Sequence, residues 1–405
     1  MALTAATDFD AVLKDFYEGP VREHLNNKVT VLELTEKSSR KWNGRRVVWP
    51  MHMSRNEGVG ARGEGASIPS AGKQGYVEAE VRAKFLYGRI ELTGPVMAAS
   101  SGDKGAFAEA LKTEVAGMRK DLRNDLNRQT WGLVIDDATH ASKTGILARV
   151  DMNGVADVAN TTIDVERVTS TTGSHEGTRY LKKNMSVVLG TAAQLAADAG
   201  ATTSTISSIT DTSTFVGSSA VISDNDLVVR GSDADAHSFN NEITGLSFLI
   251  HDSDHMDLQT VDVSANTDFK AHRDTSDVDR DLSLELMQLA YDACDERGGD
   301  EPDHIIGHHS MRREYINLLQ GDVRYSPETL KGGQTTLTYA GGTTPTPIRF
   351  DKHAPYGKLY FLRMSEIKQY VMQDWKWADR DGAILSRVSD KDQWEAFMCW
   401  YGNLG

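Results

Sequence analysis

The stretch from Arg45 to Leu92 restricts the fold most. Arg46-Val47-Val48-Trp49 and Tyr76 to Leu92 read as strands, and between them stand Gly58, Gly60, Gly63, Gly65, Gly72 and Gly75. Such runs divided by glycine predict one long hairpin. From Arg45 to Ile90 there are eight Arg or Lys and four Glu, with too few apolar residues to build a core. A hairpin of this kind needs a surface to cover it, and its positive balance suits an acidic one. Gly58-Val59-Gly60-Ala61-Arg62-Gly63 matches GxGxxG, yet no helix N-terminus follows to hold a pyrophosphate, so the hairpin reading stands over a nucleotide loop.

The remaining chain is large enough to bury cores. Its 405 residues suggest two or three domains, and 44 Lys plus Arg against 58 Asp plus Glu leave a formal charge of −14. That balance excludes a protein whose whole surface grips nucleic acid and confines any DNA contact to local patches. Cys294 and Cys399 are too few for a disulfide framework or a four-thiolate zinc site, which fits maturation in a reducing cytoplasm. Asp8 and Asp10 interrupt the place of a signal-peptide core, and no apolar run approaches a membrane span; a soluble chain made in the cytoplasm, without membrane contact, is expected.

Proline and tryptophan divide the sequence. No proline occurs between Pro95 and Pro302, and no tryptophan between Trp131 and Trp375. Within that middle, Ala148 to Asp281, short alternations such as Ser204 to Ile209 and Asp226 to Arg230 are separated by Ser, Thr, Asp and Gly, which predicts an inserted all-β module. From Ser208 to Glu285 there are 16 Asp or Glu and 4 Lys or Arg, so most of the net charge resides there. Before it, Phe107, Leu111, Val115, Met118, Leu122 and Leu126 form the stripe of an amphipathic helix over Lys104 to Trp131, with Asp103 as its cap and Gly132 as its stop. After it, Leu282, Leu286, Leu289, Ala290 and Ala293 predict a second helix ending at Gly298-Gly299. A short helix from Met311 to Leu319 and several strands follow, among them His304 to Ile306, Pro347 to Phe350, Lys358 to Leu362 and Gln393 to Tyr401.

Motifs for catalysis are sparse. His251, Asp252, Asp254, His255 and Asp257 hold metal-binding side chains, but their spacing matches no known ligand loop and a solvated acidic loop is the simpler reading. His304, His308 and His309 surround a strand end with no nucleophile nearby in sequence, so packing and capping account for them. GxSxG, HExxH and P-loop patterns are absent, no cofactor is implied, and no enzyme is expected. Trp375, Trp377, Trp394 and Trp400 place four of seven tryptophans in the last 31 residues, where core packing competes with burial under a neighbour.

This order of parts resembles the major capsid proteins of tailed bacteriophages, whose shell fold is shared with encapsulin nanocompartments. Phe85 to Pro95, Pro302 to Ile306, Asp374 to Trp377 and Gly402-Asn403-Leu404 carry the likeness. It implies an α+β fold with an N-terminal arm (1–44), an extended loop (45–92) and a peripheral domain with a spine helix (93–147). A β-rich insertion (148–281) and an axial domain with C-terminal peripheral strands (282–405) complete it. Hexamers and pentamers in an icosahedral shell around double-stranded DNA would follow, assembled in the host cytoplasm, with a portal, a decoration protein and, since no helical pro-segment precedes the arm, a separate scaffolding protein as partners. Arg45, Arg46, Arg55, Arg62, Lys73, Arg82, Trp375 and Trp377 are the expected inter-subunit contacts. Arg119, Lys120 and Arg123 are candidates to face packaged DNA, against the simpler reading that they pair with Glu114, Asp121 and Asp125 on their own helix. The competing functions are a metal-dependent hydrolase using His251 to Asp257, and a nanocompartment shell.

Overall fold

Along the chain, α1 (Val31–Leu34) and β1 (Glu36–Lys37) precede a hairpin of β2 (Arg46–Ser54) and β3 (Gly75–Arg82). β4 (Lys84–Thr93) leads to the 26-residue helix α2 (Ala106–Trp131). Next come β5 (Ile146–Val150), β6 (Val158–Glu166), β7 (Ser186–Gly190), α3 (Ala192–Ala196), β8 (Thr202–Ile209), β9 (Thr214–Ile222), β10 (Leu227–Asp233) and β11 (Ala236–His237). The last part contains α4 (Leu246–Leu249), α5 (Leu284–Gly298), β12 (His304–Gly307), α6 (His309–Gln320), β13 (Leu337–Tyr339) and β14 (Thr346–Phe350). It ends with β15 (Leu359–Leu362), β16 (Lys368–Trp377), β17 (Ser386–Arg387) and β18 (Gln393–Leu404). The computed structural model describes residues 29–40, 42, 44–95, 106–132, 143–152, 158–166, 177–252, 257–273, 280–320, 337–379 and 384–405. Asp103, the expected cap of α2, lies outside them.

The two ends of the sequence meet in one sheet. β18 pairs antiparallel with β4 on one edge, from Thr93↔Gln393 to Lys84↔Gly402, and with β16 on the other. β1 joins β16 in parallel, so the arm extends the same sheet. α2 lies along one face. Its close approach explains a glycine in the Phe85 to Pro95 stretch: a Cβ on Gly88 would stand 2.5 Å from Leu122 Cδ1, nearer than any real contact. Leu126, Ile243 and Trp400 bury the middle of this layer. At the helix end, Gly132 has φ +64° and its N–H donates to Arg128 O at 3.2 Å, the left-handed stop expected there.

A second sheet, ordered β13-β14-β12-β15, packs α5 and α6 through Met287, Tyr291, Tyr315, Ile305 and Ile348. Ser283 caps α5 by accepting from Leu286 N at 3.1 Å, and Gly299 ends it at φ +77°.

The inserted strands close on themselves. Their order is β11-β10-β5-β6-β9-β8-β7, and β7 pairs back onto β10, so six antiparallel strands form a barrel with β11 appended. Closure leaves no long unpaired edge, and alternate residues such as Ile163, Val187, Leu189, Ile206, Phe215 and Val228 fill the interior. The barrel strands span Ile146 to His237. Phe239 still packs in the barrel, and the next apolar residues, Ile243 and Leu246, pack instead with Leu126 and Trp131. The chain is thus back on α2 well before Asp281, where the sequence shows no change in its acidic, Ser-rich and Thr-rich character.

The hairpin β2–β3 pairs antiparallel from Arg46↔Arg82 to Ser54↔Gly75, with a register shift between His52 and Ser54. Only its root is buried, at Ala79, Glu80 and Val81, where Glu80 N donates to Gln259 O at 2.9 Å and Trp49 stacks on Tyr370 at 5.6 Å. Beyond the root it projects into solvent, with Val59 73% and Ile68 87% exposed.

Candidate assembly surfaces

The six basic hairpin residues divide by position. At the root, Arg46 and Arg82 converge on the buried Glu80, Arg82 Nε lying 2.7 Å from Oε1 while Arg46 takes Oε2. The hydrogen bond from Arg82, and then that from Arg46, hold the Glu80 carboxyl below its ordinary range against the opposing effect of burial. These two arginines therefore already serve the fold of their own chain. Arg55 lies 3.8 Å from Glu57, an exposed and weak pair, and Arg45, Arg62 and Lys73 are exposed.

The tryptophans lie between α2 and the sheet it covers. Trp375 tilts against Trp400 at 6.2 Å and lines a groove of about 490 Å³ with Leu122, Leu126 and Met398 as apolar floor. Arg119, Arg123 and Lys37 are at its rim, where Arg123 pairs with Glu33 of the arm segment at 2.8 Å and Lys37 with Asp374. Arg119, Lys120 and Arg123 are all exposed. Arg123 thus ties α2 to the arm segment, and Asp125 is engaged by Arg128 at 2.9 Å and Gln129 at 2.8 Å. Trp377, two positions along β16 from Trp375, lines a second groove of about 610 Å³ with Ile90, Val115, Ile384 and Ala396.

Two polar junctions, neither legible as a motif, hold the surrounding segments together: one is the buried pair Arg128–Glu242 at 2.5 Å, the other centres on Asp351. Asp351 accepts from Thr30 N and Val31 N, both at 3.3 Å, from Asn127 Nδ2 at 3.1 Å and from His353 N at 2.7 Å. One buried carboxylate therefore caps α1, anchors α2 and closes its own loop. Next to it, burial first of all, opposed by Asp351 and reinforced by nearby cations, pushes His353 down to about 3; its Nε2 is 3.2 Å from Asn124 Oδ1. The only advance sign was a polar run, Asn127-Arg128-Gln129-Thr130, in the helical turn that is most buried.

His353 gives a pH dependence with a definite sign. Between its unfolded value of 6.5 and about 3 the unfolded chain takes up a proton that the folded chain refuses. Stability is therefore unaffected by this group above 6.5 and is lost as pH falls, by up to about 1.4 kcal/mol per pH unit. Denaturant midpoints measured from pH 7 to pH 5 should fall, and His353→Gln should flatten the slope. An unchanged slope in that variant would remove His353 as the cause.

The other sequence candidates take structural roles. Asp303 accepts from Met364 N at 2.7 Å and Ser365 N at 3.1 Å and lies 3.0 Å from His304 Nδ1, which fixes the turn after β15. His308 Nδ1 accepts from Ser310 N at 3.3 Å at the start of α6. In the His251 to Asp257 run, Asp252 pairs with Arg273 at 3.0 Å, while Asp254 and His255 lie outside the described residues. Among the described residues no three His, Cys, Asp or Glu side chains are grouped to hold a metal, and no helix is long and apolar enough to cross a membrane.

A hairpin standing off a helix-covered sheet, a separate sheet with two helices, and a barrel inserted between them make up the tailed-phage major capsid protein fold. A chain of the cyanophage A-1(L) capsid asymmetric unit aligns over 98% of this chain and 94% of its own length, with a TM-score of 0.58 and 11% identity. A chain from the capsid of a native GTA particle aligns over 100% and 95%, at TM-score 0.46 and 10% identity. No family model and no curated protein matches the sequence. The first of the two alignments carries the fold assignment, and at 11% identity it speaks to architecture alone.

Proposed function

We propose that the chain is the major capsid protein of a tailed bacteriophage, assembling as hexamers and pentamers into an icosahedral shell around double-stranded DNA, without enzymatic activity of its own. The carrying observation is that the fold shared with the cyanophage capsid chain extends over 98% of this one. The exposed hairpin supports it, because a loop that its own chain leaves uncovered fits a subunit completed by its neighbours. In this reading residues 1–44 are the arm, 45–92 the extended loop, 93–147 the peripheral domain, 148–281 the insertion, whose barrel core ends at Phe239, and 282–405 the axial domain with the last peripheral strands. Arg45, Arg55, Arg62 and Lys73 meet the neighbour, Arg46 and Arg82 shape the hairpin root, and the grooves at Trp375 and Trp377 lie under adjoining subunits. A scaffolding protein, a portal and a decoration protein are the expected partners, and the virion shell is the location.

Purified protein should give hollow closed shells, or uniform hexamers and pentamers, by size exclusion and electron microscopy. A small oligomer with stoichiometric metal would replace this reading with the hydrolase, and particles that package protein in place of DNA would indicate a nanocompartment.

Contact with packaged DNA should be weak. If Arg119, Lys120 and Arg123 supply three phosphate contacts, affinity should fall about 40-fold between about 50 and 200 mM salt, from a slope of about −0.9 per contact. Binding of duplex DNA to isolated capsomers that persists across this range would instead require dedicated recognition.

A further inference from the structure

The barrel and the remaining protein have separate interiors. The two apolar clusters of the barrel draw only on residues between Ile146 and Phe239, and the three other clusters contain none from that stretch. Among the described residues, what joins the two bodies is polar or aromatic and concentrated at two places, with Lys84 Nζ reaching Asn240 O beside the first of them. One is a neck where the chain enters and leaves the barrel. Here Asn240 N donates to Thr144 O at 2.7 Å and Ser238 Oγ to Gly145 O at 3.1 Å. Both sides of the neck carry left-handed backbone, Gly145 at φ +85° and Asn240 at φ +55°. A Cβ on Gly145 would stand 2.0 Å from Ser238 O, so only glycine fits there. Immediately beyond the neck, Glu242 is fixed to α2 by Arg128 at 2.5 Å, and Thr144 Oγ1 donates to Glu242 O at 3.0 Å. The neck is therefore anchored on the side away from the barrel.

The second contact is a seat. The turn Gly177–Tyr180 of the barrel meets the loop after β14: Tyr180 Oη donates to His353 O at 3.3 Å, Arg179 Nη1 to Ala354 O at 3.4 Å, and the Tyr180 ring stacks on His353 at 5.8 Å. Long hydrogen bonds, one stacked pair and the Arg128 guanidinium 5.9 Å from the Tyr180 ring give a contact of modest strength, far weaker than either apolar core.

We infer that the barrel is a hinged body: it pivots at Gly145 and Asn240 and is held in one pose by the Arg179–Tyr180 seat, so that it can leave that pose without either core opening. Hinges are expected where a few residues at element ends absorb a backbone change, and the neck has that character. The inference does not depend on shell formation.

The test uses the full chain with Arg179→Ala and Tyr180→Phe together, which removes both donors and keeps the ring that packs on the barrel core. Spin labels are placed on exposed positions of β8 and α5, with Cys294 and Cys399 changed to Ser. The parent should give a narrow inter-label distance distribution, and the double variant a broad one shifted by several ångströms. Amide exchange in β7 and β10 should stay as slow as in the parent. An unchanged narrow distribution would overturn the seat. A broad distribution accompanied by fast exchange in β7 and β10 would overturn the separate body, since the barrel would then be unfolding instead of turning.

Discussion

Deleting Gly58 to Gly72 should abolish shell formation and leave a folded, soluble subunit. The segment is exposed along almost its whole length, and its ends already meet: a Cβ on Gly72 would stand 2.7 Å from Glu57 N and one on Gly58 3.0 Å from Gly72 N. Joining Glu57 to Lys73 therefore shortens the hairpin without straining β2 or β3. Since no buried contact is lost, the cost in stability should stay within about 0.5 kcal/mol, the range of surface changes. Assembly should respond very differently. The tip carries Arg62 and the exposed Val59 and Ile68, which have no cover in their own chain. If a neighbour covers them, the deletion removes that contact from every subunit of a shell at once, and size exclusion should show subunits or small oligomers with parental circular dichroism. Normal shells from the deleted chain would show that the tip is not the clamp between subunits.

This hairpin was legible in the sequence because strand-forming runs around a glycine-rich stretch have few alternative folds. The spine helix was legible for a similar reason, its stripe from Val115 to Leu126 being regular and its stop a glycine. The two junctions were not. Asp351 and Asn127 are 224 positions apart, and Arg128 and Glu242 are 114 apart, so no local pattern relates them. The role of Arg46 and Arg82 was obscured for the same kind of reason: a basic residue on a strand reads as free charge until the register places Glu80 beside both. Closure of the barrel depends on β7 returning to β10, a pairing between strands that are far apart in order, which alternation cannot reveal. Among the described residues Asp252, Asp257, Asp262 and Asp281 lie outside helices and strands, so the acidic character continuing to Glu285 carries no information on where the barrel core ends.

The largest loss of stability from a single substitution should come from Arg128→Ala. Arg128 is buried between Asp125 at 2.9 Å and Glu242 at 2.5 Å, with its guanidinium 5.9 Å from the Tyr180 ring. Burial alone would weaken its charge, but the two carboxylates outweigh burial and raise its pKa above the ordinary arginine value. Without it the buried Glu242 and the partly buried Asp125 lose their common partner, and breaking a buried pair in this way costs about 3–5 kcal/mol. Glu242→Gln should cost much less, since Arg128 then retains Asp125. The pH dependence separates these causes. Burial, reinforced by Asp125, holds the Glu242 carboxyl above its ordinary 4.5 even with Arg128 present. A raised carboxyl contributes stability that is fully present below the unfolded value and is lost as pH rises through the folded one. Loss of Arg128 raises it further, so the gap between Arg128→Ala and parent, compared at equal pH, should narrow as pH falls from 7 toward 4.5. Arg128 is also one of the cations that hold His353 down, so its loss eases that depression and narrows the gap further as pH falls below 6.5. A gap that stays constant with pH would mean that lost packing against Tyr180, and not the stranded carboxylates, is what the substitution costs.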